Sequence, residues 1–145
     1  MNKTILVVGT FDTKDDELNF VCDIIRAQGG TPMSMDVSVL GDPKQPTDIS
    51  KHDVTAAIGK TIQDAIDAGD ENFAMQIMAA GAATLTAKLY ADRRIDGIMG
   101  WVEPWEPIWC LTAARPCRWA YRNTWFPPRH SRLSSRLIDW RQTFR

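Results

Sequence analysis

The sequence predicts an α/β fold: part of a Rossmann-like open parallel sheet, about three strands with flanking helices, followed by an irregular tail. Three observations predict it. Short β-branched runs alternate with longer segments whose apolar residues recur at helical spacing. A strand–helix–strand passage closes within about 35 residues, the size of a right-handed βαβ unit, so the sheet should be parallel. The composition then changes abruptly at Gly100.

The elements follow in order. Ile5 to Val8 is a short β-branched run, apolar on both faces as a central parallel strand should be, and Gly9 ends it. Thr13 or Asp15 is expected to cap the next helix, with Asp16 and Glu17 in its first turn. Leu18, Val21, Cys22 and Ile25 give that helix one apolar face, and Gly29-Gly30 stops it. "TPMSMDVSVLG" alternates Met33, Met35 and Val37 as a second strand does. Residues 41–50, "GDPKQPTDIS", read as a loop. "SKHD" pairs Ser50 with Asp53 as a capping box and opens a helix through Val54, Ala57 and Ile58. A longer helix is expected from about residue 72 to 93, and Ile95 to Met99 forms the third strand. The predicted order is β-α-β-α-α-β.

At 145 residues the chain is long enough for one domain with a real core. No apolar run approaches the roughly 20 residues needed to span a bilayer. The start, "MNKTILVVGTFD", lacks the pattern of a signal peptide, so a cytoplasmic location without membrane partners is expected. Three cysteines are a sparse, odd set, unlike a secreted disulfide scaffold. Residues 1–100 carry nine basic and fifteen acidic side chains. Residues 101–145 carry eight arginines, no lysine and three acidic residues, with all six tryptophans and five of the eight prolines.

Ligands of open parallel sheets bind beyond the C-terminal ends of the strands. "GTFDTK" follows the first strand, and "DVSVLGDP" the second. Gly9 would let the backbone approach a ligand, and the N–H groups at the following helix start favour an anion such as phosphate. Thr10 and Thr13 offer hydroxyls, Lys14 a positive charge, and Asp12 a ligand for magnesium or a ribose hydroxyl. Asp36, at the second strand's end, would take a ribose hydroxyl or cap a turn; the whole set serves equally as an ordinary strand-to-helix turn. No nucleophile–base pair stands out, so an enzymatic role is left undecided. Cys110, Cys117 and His130 lack zinc-site spacing, and no metal centre is expected. Cys22 reads as core and His52 as an exposed residue near a helix start.

"VVGTFDTKDDELNFV", "MDVSVLGDP", "TDISKHDV" and "MAAGAATLTAKLYADRRIDGIMG", in order from Thr4 to Gly100, resemble the N-terminal domain of the tomato mosaic virus resistance protein-like ATP-binding family. The resemblance implies two Rossmann-like subdomains in a longer protein, with ATP and magnesium in the cleft between them, and a homodimer. It makes residues 1–100 the N-terminal part of that ATP-binding domain, with Gly9, Thr10, Asp12, Thr13 and Lys14 as one wall of the site. It also implies a glycine-rich G-G-T-x-G-T loop after the third strand, where this chain has "WVEPWEPIW". Tryptophan, glutamate and proline bring bulk, negative charge and a missing N–H where phosphate needs bare backbone amides.

Codon structure accounts for the substitution. Tryptophan has one codon, TGG. Read from the third base of the Trp101 codon, residues 101–107 can give G-G-T-M-G-T, with the glycines at Trp101–Val102 and Trp105–Glu106 forced. The same offset lets the stretch from Pro116 read Leu-Pro-Leu-Gly-Val-Pro-Lys. Residues 101–145 are therefore expected to be an out-of-frame product, and nucleotide binding to be impaired for want of the loop. The alternative is a small interaction module whose arginines and aromatics bind a protein or RNA partner. Its arginines lack periodicity until "SRLSSRLIDWRQ", where Leu133, Leu137 and Trp140 fit a short amphipathic helix, which makes nucleic acid the less favoured partner.

Overall fold

The computed structural model describes residues 3–100. The expected tail, with Cys110, Cys117, His130 and the helix near Leu133, lies outside them. Within the described residues the α/β expectation holds: three parallel strands form an open sheet in the order β2-β1-β3, with helices on both faces.

β1 (Thr4–Gly9) is the central strand. It pairs with β2 (Thr31–Asp36) from Thr4↔Thr31 to Gly9↔Asp36, and with β3 (Gly97–Gly100) from Ile5↔Gly97 to Val8↔Gly100. Alternation along β1 sends its side chains to two separate cores. Leu6 and Val8 join Met35, Val37, Val54, Met78, Ala82, Leu89 and Ile95 on one side. Val7 joins Phe11, Leu18, Cys22 and Ile25 on the other. Leu6, Val7 and Val8 are essentially fully buried, and each contributes about 1.5–3 kcal/mol of transfer free energy.

Helix α1 (Asp15–Ala27) covers the second core with Leu18, Cys22 and Ile25, the face its spacing predicts. Its start differs from expectation. The capping position is Lys14, with no side-chain capping bond; Asp15 is already helical and Thr13 lies outside. The amides of Thr13 and Lys14 instead donate to the Thr10 carbonyl, at 3.3 and 3.0 Å, so a backbone turn replaces the side-chain cap. Asp15, Asp16 and Glu17 face the positive end of the helix dipole.

Helix α2 (Lys51–Ala56) opens with the capping box Ser50–Asp53 read from the sequence. It ends at Ala56, sooner than Ile58, and Gly59 takes φ 69° in the turn that follows. A separate short helix, α3 (Ile62–Ile66), was not foreseen; its own capping box, Thr61–Asp64, starts it. Helix α4 (Glu71–Ala91) is capped by Asp70 and crosses α2 closely at Gly81. A β-carbon at Gly81 would run into the carbonyl oxygen of Val54, so only glycine permits this approach. β3 begins two residues later than the apolar run suggests. Ile95 is buried in the core ahead of the strand, and Asp96 Oδ2 accepts the Thr4 amide at 2.8 Å.

The outer edge of β2 is covered by the loop before α2. Ile49 exchanges backbone hydrogen bonds with Ser34 and Asp36 at 2.9 Å each, and Asp48 Oδ2 accepts both the amide and the hydroxyl of Ser34. Such cover shields an edge from pairing with another chain.

Candidate functional site

From β1 the chain steps to one side to form β2 and later to the other to form β3, so the strand order reverses between β1 and β3. Crevices at such a reversal, outside the carboxyl ends of the strands, are where open α/β sheets hold ligands. The two strand ends here are Gly9 and Gly100. The turn Thr10–Lys14 rises from the first of them and leads into α1.

Five of the six residues read as a site lie on this turn or at its start. Gly9 is buried, and a β-carbon there would meet Leu18 Cδ1 at 2.7 Å; helix packing thus accounts for this glycine without a ligand. Thr10 and Thr13 bring their hydroxyl oxygens within 3.3 Å of one another. Lys14 is half-buried at the helix start. Asp12 Oδ2 accepts the Gly41 amide at 3.2 Å, while its other oxygen, Oδ1, is buried with no hydrogen-bond partner.

Asp36, the sixth, is 1% exposed and occupied within the chain. Its Oδ1 accepts the amides of Phe11 and Ser38, at 3.2 and 3.0 Å, and its Oδ2 accepts the Ser38 hydroxyl at 2.8 Å. Of the two roles open to it, turn cap and ribose ligand, these bonds describe the first. The carboxylate locks the turn after β1 to the end of β2.

The sequence reading missed Lys51. Its amine, buried beside the loop after β2, donates to the Gly41 carbonyl at 2.7 Å and pairs with Asp42 Oδ1 at 2.7 Å. The Lys51 ammonium holds the exposed Asp42 carboxyl below the usual aspartate range. Gly41 is thereby gripped from both sides, by Asp12 at its amide and Lys51 at its carbonyl. One signal was available. Lys51 is the first helical residue after a capping serine, and a side chain there leans back toward the helix N-terminus, over the preceding loop.

The structure therefore brings Thr10, Asp12, Thr13 and Lys14 together with a braced loop around Ser38, Gly41 and Lys51. Among the described residues no cluster of three or more histidine, cysteine or acidic side chains fits a metal ion, and no helix is long and apolar enough to cross a membrane. His52 is exposed and Cys22 buried, with burial raising its thiol pKa.

The Uncharacterised protein family (UPF0261) N-terminal domain matches residues 3–102. A UPF0261 protein of Brucella suis is 50% identical over 95 residues, covering 66% of this chain and 23% of that protein. A UPF0261 protein of Brucella melitensis is 48% identical over 95 residues, with the same coverage. One of Clostridium tetani is 37% identical over 99 residues, 68% of this chain and 24% of that protein. The chain thus spans about a quarter of the length of these relatives. No solved structure matches it. The expected membership of the tomato mosaic virus resistance protein-like ATP-binding family is overturned by these matches, and the chain belongs instead to the uncharacterised protein family UPF0261, whose N-terminal domain its residues 3–102 match.

Proposed function

We propose that the described domain supplies one wall of a nucleotide site, with ATP and magnesium as the ligand. The observation that carries this reading is the placement of the Thr10–Lys14 turn at the strand-order reversal, directly before the N-terminus of a 13-residue helix. The Thr10 and Thr13 hydroxyls and Lys14 are the groups there suited to phosphate. Asp12 Oδ1, buried without a partner, suits a donor such as a ribose hydroxyl or a magnesium-bound water. Asp15, Asp16 and Glu17 already answer the helix dipole. A bare polyphosphate would meet their repulsion, which favours entry of the magnesium complex. Gly9, Asp36 and Lys51 hold the wall in shape.

In this reading the second wall is lost. The family match ends at residue 102, two residues past the break in composition at Gly100, while the relatives are in all roughly four times as long as the matched stretch. This supports the out-of-frame origin of residues 101–145 and a weak or absent affinity for ATP. Two measurements test the proposal. Titrating magnesium-ATP into the isotope-labelled chain should shift the amides of Thr10 to Lys14 weakly and without saturation below millimolar ligand; silence across that turn contradicts the first wall. Sequencing the coding DNA across codons 98–107 should reveal a one-base change that restores G-G-T-M-G-T and a long open frame. A frame that stands as written contradicts the account of the tail.

A further inference from the structure

The two edges of the sheet are finished differently. The β2 edge is closed by Ile49, which exchanges backbone hydrogen bonds with Ser34 and Asp36. The flank of α1 on that side is charged, with the ion pairs Asp23–Arg26 and Asp16–Lys44. At the other edge, among the described residues, β3 pairs with β1 alone.

Alternation along β1 decides which backbone groups of β3 are left over. The carbonyls of Lys3 and Gly9 accept the amides of Thr31 and Val37, so the odd-numbered residues of β1 address β2 and the even-numbered ones address β3. Thr4 agrees: its amide and its carbonyl both bond Asp96, just ahead of β3. Ile5 lies opposite Gly97 and Val7 opposite Met99. The amides of Gly97 and Met99 therefore serve β1, while the amide and carbonyl of Ile98 point out of the sheet edge. Such an edge is a template for a further strand.

The occupant follows from chain length and handedness. The family match ends two residues beyond β3, and the relatives are in all roughly four times as long as the matched stretch. From β1 to β2 the chain crosses by α1 on one face, and from β2 to β3 by α4 on the other, as right-handed crossovers require. A parallel strand beyond β3 continues the second direction, so its helix falls on the face of α4, beside it. That flank of α4 is suited to a neighbour. Gly81 meets α2, and Ala74 and Ile77 join the α3 cluster; helical spacing places Ala79, Ala83 and Tyr90 on the opposite flank. The two alanines permit close approach, and Tyr90 is 38% exposed. We infer that the outer edge of β3 is the seat of a fourth parallel strand, supplied with its helix by the segment that follows the matched stretch in the longer UPF0261 proteins.

The test is amide hydrogen exchange, read by mass spectrometry with residue-level fragmentation, on this full chain and on the full-length Brucella suis relative. In this chain Gly97 and Met99 should exchange slowly and Ile98 fast, at any protein concentration. In the relative, the strand position matching Ile98 should exchange at least about a hundredfold more slowly, as its neighbours do. Ile98→Pro and Ile98→Ala both lose the packing of isoleucine, and only the first removes the outward amide. Their urea midpoints in this chain should coincide, because an edge strand tolerates proline where the N–H faces solvent. Protection of Ile98 that grows with the concentration of this chain would assign the edge to a second copy. Fast exchange at the matching position of the relative would leave the edge open in the longer protein. A lower midpoint for Ile98→Pro would show the amide already bonded within this chain. Each of these results overturns the inference.

Discussion

The amide of Phe11 donates to Asp36 Oδ1 at 3.2 Å, tying the turn after the central strand to the end of the edge strand 25 residues away. Phe11 is itself 1% exposed in the α1 core, so one residue anchors the turn through its side chain and its backbone together. Asp36→Ala would leave the Phe11 and Ser38 amides and the Ser38 hydroxyl without their acceptor. The expected loss is about 3 kcal/mol, read from urea unfolding. A loss below about 0.5 kcal/mol would show that water replaces the carboxylate freely and that the clamp is dispensable.

Gly81→Ala inverts the usual propensity rule. In an exposed helix interior this change stabilises by up to about 1 kcal/mol. Here the added methyl group would strike the Val54 carbonyl, so α4 must move off α2 at a cost of about 1–3 kcal/mol. Ala80→Gly, one residue earlier on the exposed side, should cost only the propensity term, about 1 kcal/mol. Thermal unfolding of the two variants separates a steric origin from a propensity origin by the sign of the Gly81 effect.

Lys51→Met keeps the length of the side chain but removes its charge and the shorter of the two hydrogen bonds to the Gly41 carbonyl, leaving the Ser38 hydroxyl at 3.3 Å. Stability should fall by about 1–3 kcal/mol, and amide exchange at Gly41 should quicken, since only Asp12 and the longer Ser38 bond then hold it. Unchanged exchange at Gly41 would mean that the lysine fills space without bracing the loop.

The two capping boxes give a pH dependence of known sign. The Ser50 hydroxyl and amide hold the Asp53 carboxyl below the usual aspartate range, and the Thr61 amide and hydroxyl do the same for Asp64. A carboxyl depressed in the folded state contributes stability above its unfolded value, about 3.9, and loses it as pH falls through the folded value. The double variant Asp53→Asn with Asp64→Asn should therefore be less stable than the parent at pH 7, with the gap closing below about pH 4. Urea midpoints from pH 7 to 3 measure it. A gap constant across that range would mean that the charges of the two caps add nothing.

What the sequence revealed follows from the range of the forces involved. β1 was legible because burial on both faces leaves an uninterrupted apolar run, and α1 because its core face repeats at helical spacing. The Ser50–Asp53 box was legible because both partners lie within one turn of helix. The same signature at Thr61–Asp64 was passed over, and with it α3, since only five residues of helix follow. The start of α1 was misplaced because a backbone turn onto the Thr10 carbonyl replaces a side-chain cap, and backbone bonds leave no mark on residue choice. Lys51 was missed for a different reason: an amine is buried only where the fold brings an acceptor, and Gly41 lies ten residues away across a loop. At the candidate site, the turn was located from its residues, but their division into bracing and available groups was not. Asp12 keeps an oxygen without a partner while Asp36 is fully engaged, a contrast set by tertiary contacts alone.

The most direct test of the central claim is a calorimetric titration of magnesium-ATP into two chains: this one, and one whose coding DNA is shifted by one base after Gly100 so that G-G-T-M-G-T follows β3. The account predicts no measurable heat of binding for the first and a saturable one-to-one complex for the second, weakened at least tenfold by Asp12→Asn. Tight binding by the chain as it stands contradicts the loss of the second wall, and absence of binding in the shifted chain contradicts the nucleotide wall itself.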